Sequence, residues 1–334
     1  MRVLILGGTG LISVGIIKHL LSRNADITMF NRGKREANVD PKVKQLTGDR
    51  NDFDVFERRF ANERFDVVID MIAFRPQHAS SSIRAFRGRC EHFIFCSTVC
   101  VYGVNAPPTV LIDESFPLEP ISSYGRDKKA CEEMFMQAHQ AGDFNVTNIR
   151  PSNTYGEGGT LIDQLEFDPP SWDRIKKGQP VICAGDGLGL WNSTHRDDVG
   201  KLFAHAAMNK KTFGQAYNAT TDRAFTWRDY YREAAKSLGN PAQLLFLPAD
   251  YIVKQNPERF GLLKEITAFH GAYSSEKAQR DIPEFTCEIS FEEGASRTLE
   301  DVQRRGALKN SAGDDVYEDM VLQARELGNE PQAA

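Results

Sequence analysis

Residues 3–13 constrain the fold more than any other stretch of this chain. The apolar run Val3–Leu6 ends in Gly7-Gly8-Thr9-Gly10. Leu11–Leu21 follows, with apolar Leu11, Ile12, Val14, Ile17, Leu20 and Leu21 on one broad face. A short apolar run bounded by glycine predicts a buried strand, and the helical spacing after it predicts a helix. Further apolar runs at Ile27–Phe30, Val67–Ile72 and His92–Cys96 repeat the pattern. Strands alternating with helices require right-handed crossovers and a parallel sheet covered on both faces. The runs are nearly all apolar, as burial on both faces demands. The expected fold class is α/β, a doubly wound parallel sheet.

After Arg150 the character changes. Gly156–Gly159 and Pro169–Pro170 punctuate loops, Pro180–Ala184 and Ala216–Ala219 read as short strands, and Thr226–Leu238 reads as a helix. These segments predict a smaller, discontinuous C-terminal lobe. From Lys309 onward the chain is polar and acidic, and reads as a tail, either a terminal helix or disordered.

The glycine turn sits where a dinucleotide pyrophosphate binds. Gly7 permits the tight turn, Gly10 leaves room for a phosphate against the backbone, and the helix N-terminus supplies free N–H groups. Ser13 stands where a third glycine is usual and is still small. The second strand ends Phe30-Asn31-Arg32-Gly33-Lys34. An acidic residue there would hold the ribose 2′-OH of NAD; Asn31 removes that charge, and Arg32 and Lys34 offer cations to a 2′-phosphate. The cofactor is therefore read as NAD(P), leaning to NADP. Asp49, after the third strand, can accept from the adenine amino group.

Ser122-Ser123-Tyr124-Gly125-Arg126-Asp127-Lys128 begins a helix that a serine can cap. Tyr124 and Lys128 are four apart and share a face. Making a phenol a base near neutral pH needs about 4 kcal/mol of phenolate stabilisation, which an adjacent ammonium and an oxidised nicotinamide can supply. The apolar stretch at 93–96 ends in Ser97 and Thr98, which would lie beside the nicotinamide at a strand's carboxyl end and could bond a substrate oxygen.

The ordered motifs GGTGLIS at 7–13, Asp49, STVCVYG at 97–103, YGRDK at 124–128, IRPSNTYG at 149–156 and THRDDVG at 194–200 resemble the extended short-chain dehydrogenase/reductases of the NAD-dependent epimerase/dehydratase family. The resemblance spans about residues 1–305. It implies a Rossmann domain over 1–155, to which 192–226 returns, and a substrate lobe from 156–191 and 227–308, leaving the tail at 309–334. It implies that Tyr124 is the acid/base, that Lys128 binds the nicotinamide ribose and lowers the Tyr124 pKa, and that Thr98 orients the substrate. Asn153 and Cys100 fall on the substrate side. Gly7, Thr9, Gly10, Leu11, Ile12, Asn31, Arg32, Asp49, Arg50, Ser97, Pro151 and Ser152 fall on the cofactor side. Met71, Ile72 and Ala73 replace the run that passes under the cofactor with backbone contacts. A homodimer through the Tyr124 helix is the family's common assembly.

The reaction narrows by what is missing. Family dehydratases carry an Asp-Glu pair where Val99 and Cys100 stand here, so that elimination is disfavoured. Cys100 reads as a packing residue, with a proton-shuttle role as the alternative. Arg174, Arg196, Arg223 and Arg280 are candidates to hold a diphosphate, but none sits in the family's usual arginine arrangement. His195 reads as structural and Trp191 as packing. The expected function is a sugar or nucleotide-sugar epimerase/reductase with a small-molecule substrate.

The alternative is a non-catalytic relative of the chloroplast stem-loop-binding type. Tyr124, Lys128 and a formal charge of −5 argue against nucleic acid as partner. The seven histidines show no metal-binding spacing. No apolar run is long enough to span a membrane, the N-terminal stretch does not read as a signal peptide, and six irregularly spaced cysteines read as reduced thiols, so a cytoplasmic location is expected.

Overall fold

The computed structural model describes residues 1–34, 40–104 and 111–334. A seven-stranded sheet forms its centre, with every neighbouring pair parallel. Its strands are β1 (Arg2–Leu6), β2 (Asp26–Asn31), β3 (Lys44–Thr47), β4 (Phe65–Asp70), β5 (Cys90–Cys96), β6 (Asn145–Pro151) and the edge strand Gln215–Ala219. Across the sheet the order is Gln215–Ala219, β6, β5, β4, β1, β2, β3. The winding reverses between β1 and β4, which opens a crevice beyond their carboxyl ends. This is the Rossmann-like architecture expected from the alternating pattern. One strand ends early: β4 stops at Asp70 rather than Ile72. The Asp70 carboxylate captures the Ile72 amide at 3.0 Å and turns the chain out of the sheet.

Burial on both faces explains the apolar strands. Val3 and Ile5 pack on one face with α1 (Leu11–Ser22) and the helix Arg196–Ala206. Leu4 and Leu6 pack on the other, with a phenylalanine cluster from α2 (Phe53–Phe60), α3 (Pro76–Phe86) and α4 (Ser123–Gln140). α1 and Arg196–Ala206 meet backbone to backbone. A Cβ on Gly15 would lie 2.3 Å from the Arg196 carbonyl oxygen, and one on Gly200 equally near the Gly15 carbonyl carbon. The close helix packing that a third turn glycine often provides is thus supplied one half-turn later.

The C-terminal half builds a second core around Trp172, Trp227, Tyr230 and Phe291. The residues beyond Lys309 do not hang free as a tail. The helix Asp315–Glu326 buries Tyr317, Met320, Val321 and Ala324 against the strands Val181–Ala184 and Gln243–Leu247. The Tyr317 hydroxyl accepts the Ile182 amide at 2.8 Å. Ser193–His195 pairs in parallel with Asn153–Tyr155 and leads into Arg196–Ala206. Among the described residues no helix is long and apolar enough to cross a membrane, and no three metal-ligating side chains converge.

Candidate active site

A cleft of about 430 Å³ opens at the reversal point, between the Gly7–Gly10 turn and the ends of β2 and β3. Gly7, Thr9, Gly10, Asn31, Arg32, Asp49, Arg50 and Ile72 line it together. Its glycines serve two different purposes. Gly7 has φ of 89°, and a Cβ there would lie 2.4 Å from Ile72 Cγ2, so the fold itself requires glycine. Gly10 has φ of −77°, and a Cβ there would meet Ser13 Oγ only at 3.4 Å. Nothing in the chain forbids a side chain at Gly10; the space it leaves faces the cleft. No side chain caps α1, so the first-turn amides of Leu11 and Ile12 remain available to an anion. Ser13 donates its hydroxyl to the Gly7 carbonyl at 2.8 Å and ties the turn together.

The β2 end carries positive charge. Arg32 and Lys34 are exposed on the cleft wall, and neither forms an ion pair among the described residues. Asn31 shapes this turn by accepting the Gly33 amide at 2.7 Å. Asp49 Oδ1 accepts both Asn51 nitrogens at 2.9 Å. Those bonds, helped by Arg32 and Lys34, hold its carboxyl below the usual range. Its second oxygen is left for a ligand donor. Arg50 is 4% exposed and pairs with Asp70 at 3.0 Å, while Nη2 also donates to the His78 carbonyl and to Ser82 Oγ. Its Nε and Nη1 are buried without partners at the cleft wall. Two orphaned donors, an uncapped helix start and a glycine with room beside it fit an anionic dinucleotide.

Of the remaining expected cofactor residues, Met71, Ala73, Ser97, Pro151 and Ser152 lie outside this cleft's lining. The amides of Met71 and Ile72 are engaged by the Leu6 carbonyl and by Asp70, and Ala73 is buried. Ser97 and Pro151 sit at the carboxyl ends of β5 and β6. Ser97 Oγ is buried without a partner, and Ser152 Oγ meets Thr194 Oγ1 at 3.2 Å. Sequence reasoning missed Phe74, which carries the cleft toward Tyr124 and Lys128. It lines the cleft, and its ring lies 4.8 Å from the Lys128 ammonium. It directly follows Ala73, in the run expected to pass beneath the cofactor.

Ser122 caps α4, accepting the Gly125 amide at 3.0 Å, and the helix presents Tyr124 and Lys128 on one face. Lys128 is 1% exposed and donates to the Cys96 carbonyl at 2.7 Å. The rings of Phe74, Phe95 and Tyr124 surround its ammonium. Burial lowers the Lys128 pKa, while Cys96 and the Asp70 carboxylate oppose the shift. Tyr124 leaves 43% of its surface open, but its hydroxyl end is desolvated, with Thr98 acting to lower its pKa. Burial, then the Cys96 and Cys100 thiols, push the phenol above its ordinary value. The expected lowering by Lys128 is not what governs the phenol here. The ammonium stands 5.8 Å from the ring centroid and is spent on the Cys96 carbonyl.

Thr98 Oγ1 accepts the Cys100 amide at 3.2 Å, which fixes its hydroxyl beside Tyr124. Cys100 stays a thiol, since burial raises its pKa. Tyr102 receives Arg150 Nη1 at 2.8 Å and donates to Asn218 at 2.8 Å; burial pushes it up to about 12. Arg150 also clamps Glu132 through two bonds of 2.9 and 2.6 Å. This buried network fixes α4 one turn beyond Lys128 to β6.

On the substrate side, Asn153 donates to Ser193 Oγ at 2.5 Å. The four lobe arginines are spoken for. Arg174 pairs with Glu318, Arg196 with Glu157, Arg223 with Glu233 and Arg280 with Asp281. His195 caps the helix Arg196–Ala206 and bonds Glu157 at 3.0 Å, a structural position. Trp191 stacks on Trp227 at 5.1 Å.

Known proteins agree with this architecture. The chain is 28% identical to 2'-dehydrokanamycin reductase of Streptomyces kanamyceticus over 255 residues, 76% of this chain and 72% of that one. It is 26% identical to the chloroplast stem-loop binding protein of 41 kDa b of Arabidopsis thaliana, across 96% of this chain and 84% of that one. Among solved structures, the UDP-glucose 4-epimerase of Thermus thermophilus in complex with NAD shares the fold, with a TM-score of 0.71 and 22% identity across 91% of this chain and 99% of that one. A family model matches residues 3–220, from β1 to just past the edge strand Gln215–Ala219, and on that match the chain belongs to the NAD dependent epimerase/dehydratase family.

Proposed function

We propose that the protein is an NADP(H)-dependent reductase acting on a carbonyl carbon of a sugar, with Tyr124 as the proton donor. The observation that carries this reading is Tyr124 on the same helix face as the buried Lys128 ammonium, 5.8 Å from the Tyr124 ring centroid, at the carboxyl end of β5. A bound nicotinamide supplies the hydride. Tyr124 supplies the proton to the carbonyl oxygen as negative charge develops there. The phenol, held above its ordinary pKa, carries its proton throughout the neutral range and gives it up only as negative charge develops on the substrate oxygen. Lys128, whose ammonium is held by the Cys96 carbonyl and stands 5.8 Å from the Tyr124 ring centroid, serves to hold the nicotinamide ribose. Thr98 holds the substrate oxygen in line with the phenol.

NADP is favoured over NAD by Arg32 and Lys34, which form no ion pair among the described residues, and by Asn31 in place of an acid. The relative named for reduction of 2'-dehydrokanamycin supports reduction, and the epimerase relatives support a sugar. Epimerisation uses the same groups, with the hydride returned to the opposite face. A homodimer through α4 belongs to the same proposal. A stem-loop-binding role, suggested by one relative's name, is not favoured: the chain carries net negative charge and keeps both Tyr124 and Lys128.

The test is oxidation of NADPH by purified protein over a panel of keto-sugars. We expect turnover with at least one, NADPH preferred to NADH, and loss of about 10³-fold in Tyr124→Phe with NADPH binding kept. Full activity in Tyr124→Phe would refute the assignment.

A further inference from the structure

Two loops wall the cleft at the glycine turn, and one imidazole joins them. Asp49 and Asn51 stand on the loop after β3, Phe74 on the loop after β4, and His78 in the first turn of α3; all four line the cleft. His78 is buried, and both of its ring nitrogens are used. Nδ1 lies 3.1 Å from the Phe74 amide. A backbone N–H can only donate, so Nδ1 accepts and the neutral ring carries its hydrogen on Nε2. Nε2 then donates to Asn51 Oδ1 at 3.2 Å. This orients the Asn51 side chain: its oxygen faces His78, and its Nδ2 donates to Asp49 Oδ1 at 2.9 Å. The donors run in one direction, from Phe74 through His78 and Asn51 to the Asp49 carboxylate.

The imidazole is anchored independently of this chain. The His78 carbonyl accepts Arg50 Nη2 at 2.7 Å, and Arg50 is paired with Asp70 at the end of β4. The Phe53 ring lies 6.0 Å from the imidazole. A second ring proton would set an N–H against the Phe74 amide, so the arrangement admits only a neutral ring. Burial and the Arg50, Arg75 and Lys128 cations favour that state, against the Asp70 carboxylate. Capping α3 would need Nδ1 alone. The Nε2 bond instead reaches 27 residues back in the chain and ends, through Asn51, on a carboxylate whose second oxygen is left for a ligand.

We propose that His78 is a positioning residue for the cofactor: through Asn51 it holds the Asp49 carboxylate in the orientation that accepts the adenine amino group, and so selects adenine over a base with a carbonyl in that place. This rests on the reading of the cleft as a dinucleotide site with Asp49 at the adenine. A carboxylate oriented before binding spares the ligand the cost of ordering it, and the same carboxylate repels a carbonyl oxygen.

Fluorescence titration with NADPH and with its hypoxanthine analogue, which carries a carbonyl where adenine carries its amino group, tests it. The wild-type protein should bind NADPH about tenfold more tightly than the analogue. His78→Asn keeps an acceptor for the Phe74 amide but cannot reach Asn51, and should reduce that ratio to about twofold. His78→Gln keeps a donor toward Asn51 and should retain most of the preference. Asn51→Ala, at an exposed position, cuts the same link without touching the buried ring and should match His78→Asn. The wild-type ratio kept in either His78→Asn or Asn51→Ala would overturn the proposal, as would equal loss in His78→Gln and His78→Asn. Equal binding of both dinucleotides by the wild-type protein would instead overturn the placement of Asp49 at the adenine, and the role of His78 with it. Binding of neither would overturn the dinucleotide reading itself.

Discussion

Two sets of cations in this molecule lead opposite lives. At the end of β2, Arg32 and Lys34 stand exposed on a cleft wall with no carboxylate partner among the described residues. In the lobe, Arg174, Arg196, Arg223 and Arg280 are each paired with an acid of the chain itself. A cation left without a partner beside a cleft can serve a ligand; a cation already paired serves the fold. The cleft at the glycine turn thus has a positive wall suited to a phosphorylated cofactor, whereas the paired arginines are already neutralised by the chain itself.

The largest effect that can sharpen this contrast lies in the glycine turn. Gly7→Ala should cost about 2–4 kcal/mol of stability, from positive φ and from crowding against Ile72. Gly10→Ala should leave the melting temperature unchanged and weaken NADPH binding. Equal destabilisation by the two would remove the distinction between a glycine the fold needs and one the cleft needs.

Arg174→Ala comes next. Arg174 is 2% exposed, pairs with Glu318 and lies 4.7 Å from the Tyr317 ring centroid. Its loss should lower stability by about 2–3 kcal/mol in denaturant titration, with NADPH affinity unaltered. Arg32→Ala should do the reverse, with no change in stability and about tenfold weaker NADPH binding while NADH is unaffected. If Arg32→Ala destabilised the chain instead, the two arginine classes would collapse into one.

The smallest expected effect sits at the other end of β5 from Ser97 and Thr98. His92 is fully buried, with Nδ1 accepting the Met208 amide and Nε2 bonded to Thr147, and burial lowers its pKa to about 3. The folded protein holds it neutral, whereas the unfolded chain protonates it below about pH 6.5. Stability is therefore full above that value and falls as pH drops toward 3. From pH 8 to pH 6 the loss should be about 0.8 kcal/mol more than in His92→Gln, read from unfolding midpoints. Identical profiles would contradict a neutral imidazole.

What could be read from the sequence was local. The glycine turn, the all-apolar strands and the Tyr124–Lys128 spacing depend on neighbours a few residues apart, and each predicts its own element. Phe74 reaches the cleft only through tertiary folding, and no local pattern marks it. The C-terminal helix was legible in part. Tyr317, Met320, Val321 and Ala324 fall at helical spacing, but the polar composition around them outweighed that period. The direction of the Tyr124 shift was not legible, because it depends on how deeply the hydroxyl is buried and on where Lys128 spends its proton.

Label transfer tests the central claim most directly. With NADPH deuterated at the transferred position of its nicotinamide ring and a keto-sugar substrate, deuterium should appear on the new carbinol carbon. The same transfer should be about 10³-fold slower in Tyr124→Phe, which should still bind NADPH. Product formed without deuterium, or transfer in Tyr124→Phe as fast as in the wild-type protein, would contradict it.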